Sequence, residues 1–414
     1  MIFILESFLH LTECTIFFLI ISYYSMRVFI AILVLLHSIV SFGQIKPGFQ
    51  PNEATYTISM CNSFNFLKQF GSNNDIIPNE FNLKYTSEIL SMDNKFEVYE
   101  NEKVGVINYR GSTDKLISWV ENFYSAMIPA KGVISIDDET HYYQFAENKS
   151  AAVHAGYGLT IVLLSEKIIE QIKALNHKGV FDIVITGHSQ GGALATMTRA
   201  YLENLPEGEL SQKNTYKTYA YAQPMSGNKE FANEYNSRFS DEGTSYSIIN
   251  PKDPVPYLPF NYEEEKLVTK DKIKSWLFGK EEFKAKKLGQ DAFIRLFERG
   301  LKSHVKNTNS LINKVIGLKF GNVVMPEFVA DINYYPTGKL KELSAFNYPK
   351  IEVDVKGLDE KERKAYEQDD TGKWYKKEPK FFQHKPYNYY VGVLKAWDNQ
   401  EFKNLNKMYL VSDL

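Results

Sequence analysis

Apolar residues recur along this chain with two periods, and the switch between them marks its elements. Residues 95–99 and 104–109 read as consecutive strands, the second leading into Arg110-Gly111-Ser112-Thr113. Residues 115–124 then read as a helix. The stretch 134–158 is mixed, and Val153-His154-Ala155-Gly156-Tyr157 opens a long helical run to residue 175. Val180-Phe181-Asp182-Ile183-Val184-Ile185-Thr186 is a short, nearly unbroken apolar run, which predicts a strand buried on both faces. A helix at 193–205 stops at Pro206. Strands at 218–222 and 245–249 enclose a helix at 229–238. Residues 53–70 suit an N-terminal helix that covers the core. Strands alternating with helices predict an α/β fold with a central, mostly parallel sheet flanked by helices.

Residues 262–350 follow a different pattern. Lys272, Lys274, Lys286, Arg295 and Lys302 alternate with Trp276, Phe278, Phe283 and Phe297, as in a basic amphipathic helix. We therefore expect residues 262–375 to form a helical insertion or cap. Its charged face is either a solvated helix surface packed on the core or a segment that transiently meets a lipid interface. Glu281, Glu282 and Asp291 dilute the positive charge and favour the first.

Composition changes this picture little. With 414 residues, 44% of them hydrophobic and 24% charged, the chain can bury a sizeable core. Its formal net charge of -2 argues against an overall electrostatic grip on nucleic acid. The two cysteines are Cys14 and Cys61. Cys14 falls in a segment expected to be removed, so no intrachain disulfide is expected and Cys61 reads as a small buried residue.

That removable segment carries an address. Arg27 supplies a positive start, residues 28–40 are largely apolar, and Ser41-Phe42-Gly43 places small residues where a signal peptidase reads. The pattern predicts a signal peptide over residues 26–43, cleaved before Gln44, and export to a periplasm or the medium. Residues 1–25 are a second apolar stretch. They read either as an upstream extension from a misplaced start codon or as a membrane anchor, and Glu6 and Glu13 favour the former. The remaining residues, 44–414, are expected to form the main domain.

The candidate chemistry lies where the buried strand at 180–186 ends. Gly187-His188-Ser189-Gln190-Gly191-Gly192 follows it, and a helix follows in turn. This is the nucleophile-elbow pattern in its strand–turn–helix setting. Such a turn lifts the Ser189 hydroxyl above the sheet, while Gly187 and Gly191 avoid collisions between strand and helix. The helix N-terminus favours developing negative charge.

With these residues in place, the chain resembles the class 3, fungal-type lipases of the α/β-hydrolase superfamily. Gly187-His188-Ser189-Gln190-Gly191-Gly192-Ala193 resembles that family's elbow. Val106-Ile107-Asn108-Tyr109-Arg110-Gly111-Ser112 resembles its oxyanion strand and loop, and Val153-His154-Ala155-Gly156-Tyr157 its V-H-x-G-F element. Tyr221-Ala222-Gln223-Pro224-Met225-Ser226-Gly227-Asn228 resembles its G-x-P-R-x-G-N stretch, with Met225 where the family has arginine. Ile249-Asn250-Pro251-Lys252-Asp253-Pro254-Val255-Pro256 resembles its V-N-x-x-D-x-V-P loop. The likeness covers residues 95–260; residues 262–375 have no match, and the family's disulfides have no counterpart here.

The resemblance implies a serine, acid, histidine order along the chain. Asp253, just past the strand at 245–249, would be the acid, although it also suits a turn before Pro254. Two histidines follow it, His304 and His384. His304 lies between Lys302 and Lys306 in the basic region, so His384, amid aromatics, is the expected base. The backbone N–H of Gln190 and the Ser112 loop would form the oxyanion hole, with the Ser112 hydroxyl as a further donor. His188 and His154 read as structural, one shaping the elbow and the other packing beneath it. Residues 119–129 read either as a helical lid or as an ordinary core helix, and Tyr387, Tyr389 and Tyr390 as acyl-pocket lining or plain core.

No H-E-x-x-H, paired C-x-x-C or nucleotide-binding loop is present, so no metal or cofactor is expected. The implied activity is a serine carboxylic-ester hydrolase acting on acyl-glycerols through an acyl-enzyme. A phospholipase or other esterase on the same site, and a non-catalytic lipid-binding protein of this fold, are the other readings.

Overall fold

The computed structural model describes residues 45–64, 74–113, 115–259, 316–317, 320–344, 347–378 and 382–405. Contacts separate Met1–Gln44 from Ile45–Leu414. The expected signal peptide, the stretch before it and His304 lie outside the described residues, as does most of the basic region.

Helix α1 spans Pro51–Cys61, with a proline in its first turn where a missing N–H costs nothing. Strands β1 (Asn82–Thr86), β2 (Phe96–Glu100) and β3 (Val104–Tyr109) pair antiparallel in succession, β1 with β2 and β2 with β3. Helix α2 (Leu116–Phe123) follows, then β4 (Met127–Pro129), β5 (Lys131–Ile136), β6 (Glu139–Gln144) and β7 (Ala152–His154). The long helix α3 (Ala155–His177) leads to β8 (Asp182–His188) and α4 (Gln190–Leu202). Next come β9 (Thr215–Tyr221), α5 (Lys229–Tyr235), a π-helical turn at Asn236–Ser240, and β10 (Ser245–Ile249). Strands β11 (Val323–Val324) and β12 (Lys339–Glu342), helix α6 (Glu360–Arg363), and strands β13 (Tyr366–Gln368) and β14 (Trp374–Lys376) precede α7 (Pro386–Trp397) and α8 (Asn399–Asn404).

Among the described residues the main sheet has seven strands in the order β1-β2-β3-β8-β9-β10-β12, parallel from β3 onwards. Its alternation puts Ile107, Ile183 and Ile185 in one core with Leu159, Leu164, Leu194 and Met197 of α3 and α4. Val106 and Val184 point the other way, into a second core with Ile58 and Met60 of α1 and Val391 and Val393 of α7. Every residue of β8 is buried, which is why its sequence is continuously apolar around Asp182 and Thr186. This is the α/β-hydrolase arrangement, a mostly parallel sheet between two helical layers.

Two expectations need correction, and the mixed stretch 134–158 gains detail. The N-terminal helix starts earlier and ends at Cys61, not at residue 70. The stretch 134–158 contains a hairpin, β5 with β6, turning at Asp137 (φ 50) and extended by β11 into a three-stranded sheet. The insertion 262–375 is mostly not helical where it is described beyond Asn322, holding only the short helix α6. There it supplies β11, the β13–β14 hairpin and, in β12, the last strand of the main sheet. Lys339-Leu340-Lys341-Glu342 is a short, largely exposed edge strand, so it lacks the apolar alternation that marks an interior one.

Candidate active site

The elbow forms where β8 meets α4. Ser189 sits between them at φ 60, ψ -129, a backbone conformation that favours glycine. Its N–H donates to the Tyr221 carbonyl of β9 at 2.9 Å, and its own carbonyl accepts the Gly192 N–H at 2.9 Å. The flanking glycines are forced by close approach. A Cβ on Gly187 would collide with the Gly191 backbone, and one on Gly191 with the Tyr109 carbonyl at the end of β3. Ser189 is thus pushed outward as the one partly exposed residue between buried His188 and buried Gln190.

Two later loops converge on it. Asp253 follows β10, its N–H bonded to the Asn250 carbonyl at 2.8 Å. Its Oδ1 accepts the Val255 N–H at 3.0 Å. His384 ends a 3-10 turn, Phe382–His384, just before α7. The Asn250 side-chain amide donates to the carbonyl of Gln383 at 3.0 Å, joining the two loops one residue from His384.

The three side chains expected to act together stand in one line. His384 Nε2 lies 2.8 Å from Ser189 Oγ, and His384 Nδ1 lies 2.7 Å from Asp253 Oδ2. Asp253 is fully buried and His384 is 4% exposed, so the pair is shielded from water. A serine hydroxyl donating to Nε2 leaves the ring hydrogen on Nδ1, the tautomer that a carboxylate at Nδ1 selects.

Tyr389 joins this line. Its phenol donates to Asp253 Oδ2 at 2.7 Å and accepts the Asn250 N–H at 3.0 Å. Burial first, and then the neighbouring Asp253 charge, push the Tyr389 phenol well above its ordinary value, so it stays a donor. Tyr387, Tyr389 and Tyr390 all pack in the second core. Tyr389 lies one helical turn into α7, which carries its hydroxyl back over the Asp253 loop.

The His188 ring lies 4.7 Å from His384, tilted by 44°, and meets Tyr389 edge-on at 5.3 Å. Burial, reinforced by His384, holds the His188 imidazole well below its ordinary value, so it stays neutral behind the base. His154 does not pack beneath the elbow. It caps α3 through a 3.3 Å bond from the Tyr157 N–H, stacks on Tyr157, and places Nε2 3.2 Å from the Asn122 carbonyl. Burial lowers its imidazole to about 3.

Ser112 and Gln190 are joined directly. Gln190 Oε1 accepts the Ser112 hydroxyl at 2.7 Å, Asn122 Nδ2 at 3.1 Å and the Ser118 hydroxyl at 3.2 Å. The Ser112 hydroxyl hydrogen is thus committed to Gln190, contrary to the expectation that it adds a donor at the site. Gln190 opens α4, and its N–H has no acceptor within the helix. In α2, Ser118 and Glu121 are buried, which favours a core helix over a lid for these residues. Cys61, also buried, has its thiol pushed up to about 12 by burial.

Comparison with known proteins finds partial likenesses. The family model for lipase (class 3) matches residues 106–263. A secreted mono- and diacylglycerol lipase of Malassezia restricta is 27% identical over 169 residues, 39% of this chain and 49% of that protein. Secreted mono- and diacylglycerol lipase 1 of Fusarium solani is 30% identical over 142 residues, 32% of this chain and 39% of that protein. The chain spans about half or less of the length of these relatives. A crystal structure of mono- and diacylglycerol lipase from Aspergillus oryzae matches with a TM-score of 0.38 at 19% identity, over 52% of this chain and 76% of that one. Over residues 106–263 the chain is therefore similar to the class 3 lipases, and those residues form much of its mostly parallel sheet.

Proposed function

We propose that this chain is an exported serine carboxylic-ester hydrolase that cleaves acyl-glycerols. The observation that carries the reading is the line Ser189 Oγ, His384 Nε2, His384 Nδ1, Asp253 Oδ2, with 2.8 and 2.7 Å separations. Lipid esters as substrates and export are supported by the relatives described as secreted mono- and diacylglycerol lipases. The signal-like residues 26–43 add to the case for export.

In this mechanism His384 takes the Ser189 proton as Oγ attacks the ester carbonyl carbon. Asp253 stabilises the imidazolium and fixes its tautomer, while Tyr389 and the Val255 N–H hold the carboxylate. The carbonyl oxygen becomes an oxyanion held by the backbone N–H groups of Gln190 and Ser112, at the positive end of α4. The intermediate collapses, His384 protonates the departing alcohol, and an acyl-Ser189 ester remains. Water then gives a proton to His384, attacks the acyl carbon, and releases the fatty acid as Ser189 recovers its proton.

The test is turnover of p-nitrophenyl butyrate and of emulsified mono-, di- and triacylglycerols by the purified chain and by Ser189→Ala. The expected result is hydrolysis by the first and loss of at least about a thousandfold in kcat by the second. Equal turnover by both would defeat the mechanism. Hydrolysis of p-nitrophenyl esters without any acyl-glycerol cleavage would keep the mechanism and overturn the substrate.

A further inference from the structure

A strained turn outside the proposed machinery reaches both sides of the oxyanion site with two adjacent residues. Leu90 and Asn94 close the turn with reciprocal backbone bonds of 2.9 and 2.8 Å. Within it Ser91 (φ 44) and Asp93 (φ 69) adopt left-handed conformations, which non-glycine residues keep only where the surroundings fix them. The Ser91 hydroxyl is held 3.0 Å from Thr160 of α3.

Asp93 faces the Ser112 loop. Its carboxylate accepts Thr113 Oγ1 at 2.6 Å, Lys115 Nζ at 2.6 Å and Arg110 Nη2 at 3.3 Å, and its carbonyl accepts Arg110 Nη2 at 2.5 Å. Arg110 and Thr113 flank Ser112, so the loop is gripped on both sides of it. Asn94 faces the elbow. Its Oδ1 accepts Gln190 Nε2 at 3.2 Å, and its Nδ2 donates to the buried Glu121 carboxylate at 2.6 Å. Gln190 closes the circuit by accepting the Ser112 hydroxyl.

We infer that Asp93 and Asn94 are positioning residues that set the spacing between the Ser112 loop and the Gln190 N–H, and hence the geometry of the oxyanion hole. This rests on the hydrolase reading above. Oxyanion donors act only when held at hydrogen-bond distance from an oxygen that appears in the transition state. A side chain that fixes their separation therefore affects the tetrahedral state more than substrate binding. Asn94 also holds Gln190 from the side opposite Ser112, so the amide cannot rotate without breaking bonds on both sides.

The experiment compares the intact chain with Asp93→Asn and Asn94→Ala, using p-nitrophenyl butyrate and an aryl trifluoromethyl ketone that adds to the serine as a tetrahedral mimic. Gln190→Met, which keeps the backbone N–H, removes the Asn94 link together with the Ser112, Ser118 and Asn122 bonds should Asn94→Ala fail to fold. The expected result is a loss of about ten- to a hundredfold in kcat with KM within about twofold. The ketone's Ki should rise by the same factor in each folded variant. Unchanged kcat and Ki, or a fall in kcat with no change in Ki, would overturn the inference. Wild-type turnover that survives Ser189→Ala would instead sink the hydrolase reading beneath it.

Discussion

Tyr389 and His384 bind the same oxygen of Asp253, each at 2.7 Å. The carboxylate is therefore held from two sides and cannot swing away from the imidazole without giving up a charge-assisted hydrogen bond. Tyr389→Phe removes that bond and leaves the ring packing intact. The expected outcome is a kcat about tenfold lower, the loss of one hydrogen bond to a charged group, with KM nearly unchanged. Steady-state kinetics on p-nitrophenyl butyrate, with a thermal melt as control, checks it.

The backbone at Ser189 predicts a gain in stability from the right substitution. At φ 60 and ψ -129 the serine is strained, and an alanine there inherits the strain. Glycine relieves it, by about 1 kcal/mol after its own entropy cost. Both Ser189→Ala and Ser189→Gly should lack turnover, but Ser189→Gly should melt higher. Equal melting temperatures would show that the elbow holds no strain.

Much of the site was legible because its parts are local. The unbroken apolar run of β8 and the two glycines around Ser189 lie within a dozen residues, and backbone contact alone dictates them. Asp253 and His384 were readable from the order that the family resemblance supplies, although 131 positions separate them. Tyr389 was taken for lining or core because the first turn of α7, and not any spacing along the chain, points its hydroxyl at Asp253. Asp93 and Asn94 carried no signal along the chain, since their partners lie in the loop after β3, on α2 and on α4. The edge strand β12 was hidden by its own solvent exposure, which removes the apolar signal.

Acid should weaken the grip of Asp93. Burial pushes its carboxyl up, but Lys115, Thr113 and Arg110 together outweigh that and hold it below its ordinary value. A group with a depressed folded value contributes stability above its unfolded value of about 3.9 and loses it as pH falls through the folded one. The intact chain should therefore be more stable than Asp93→Asn near neutrality, and the gap should close in the region below about pH 4. Urea midpoints across that range provide the measurement.

His154 and His188, both buried, push in the same direction from a different cause. His154 is held at about 3 and His188 well below its ordinary value, both first by burial. As pH falls below about 6.5 the unfolded chain takes up protons that these folded imidazoles refuse. Stability should then decline by up to about 1.4 kcal/mol per pH unit for each histidine. In NMR spectra recorded from pH 8 to 5, the ring resonances of His154 and His188 should not titrate.

The most direct test of the central claim is labelling with a fluorophosphonate, which reacts with a serine only when a base has activated it. Intact-protein and peptide mass spectrometry should find one adduct, on Ser189, in the wild-type chain. Labelling should be lost in His384→Ala. Absence of an adduct on Ser189, or undiminished labelling once the His384 imidazole is removed, would contradict the account.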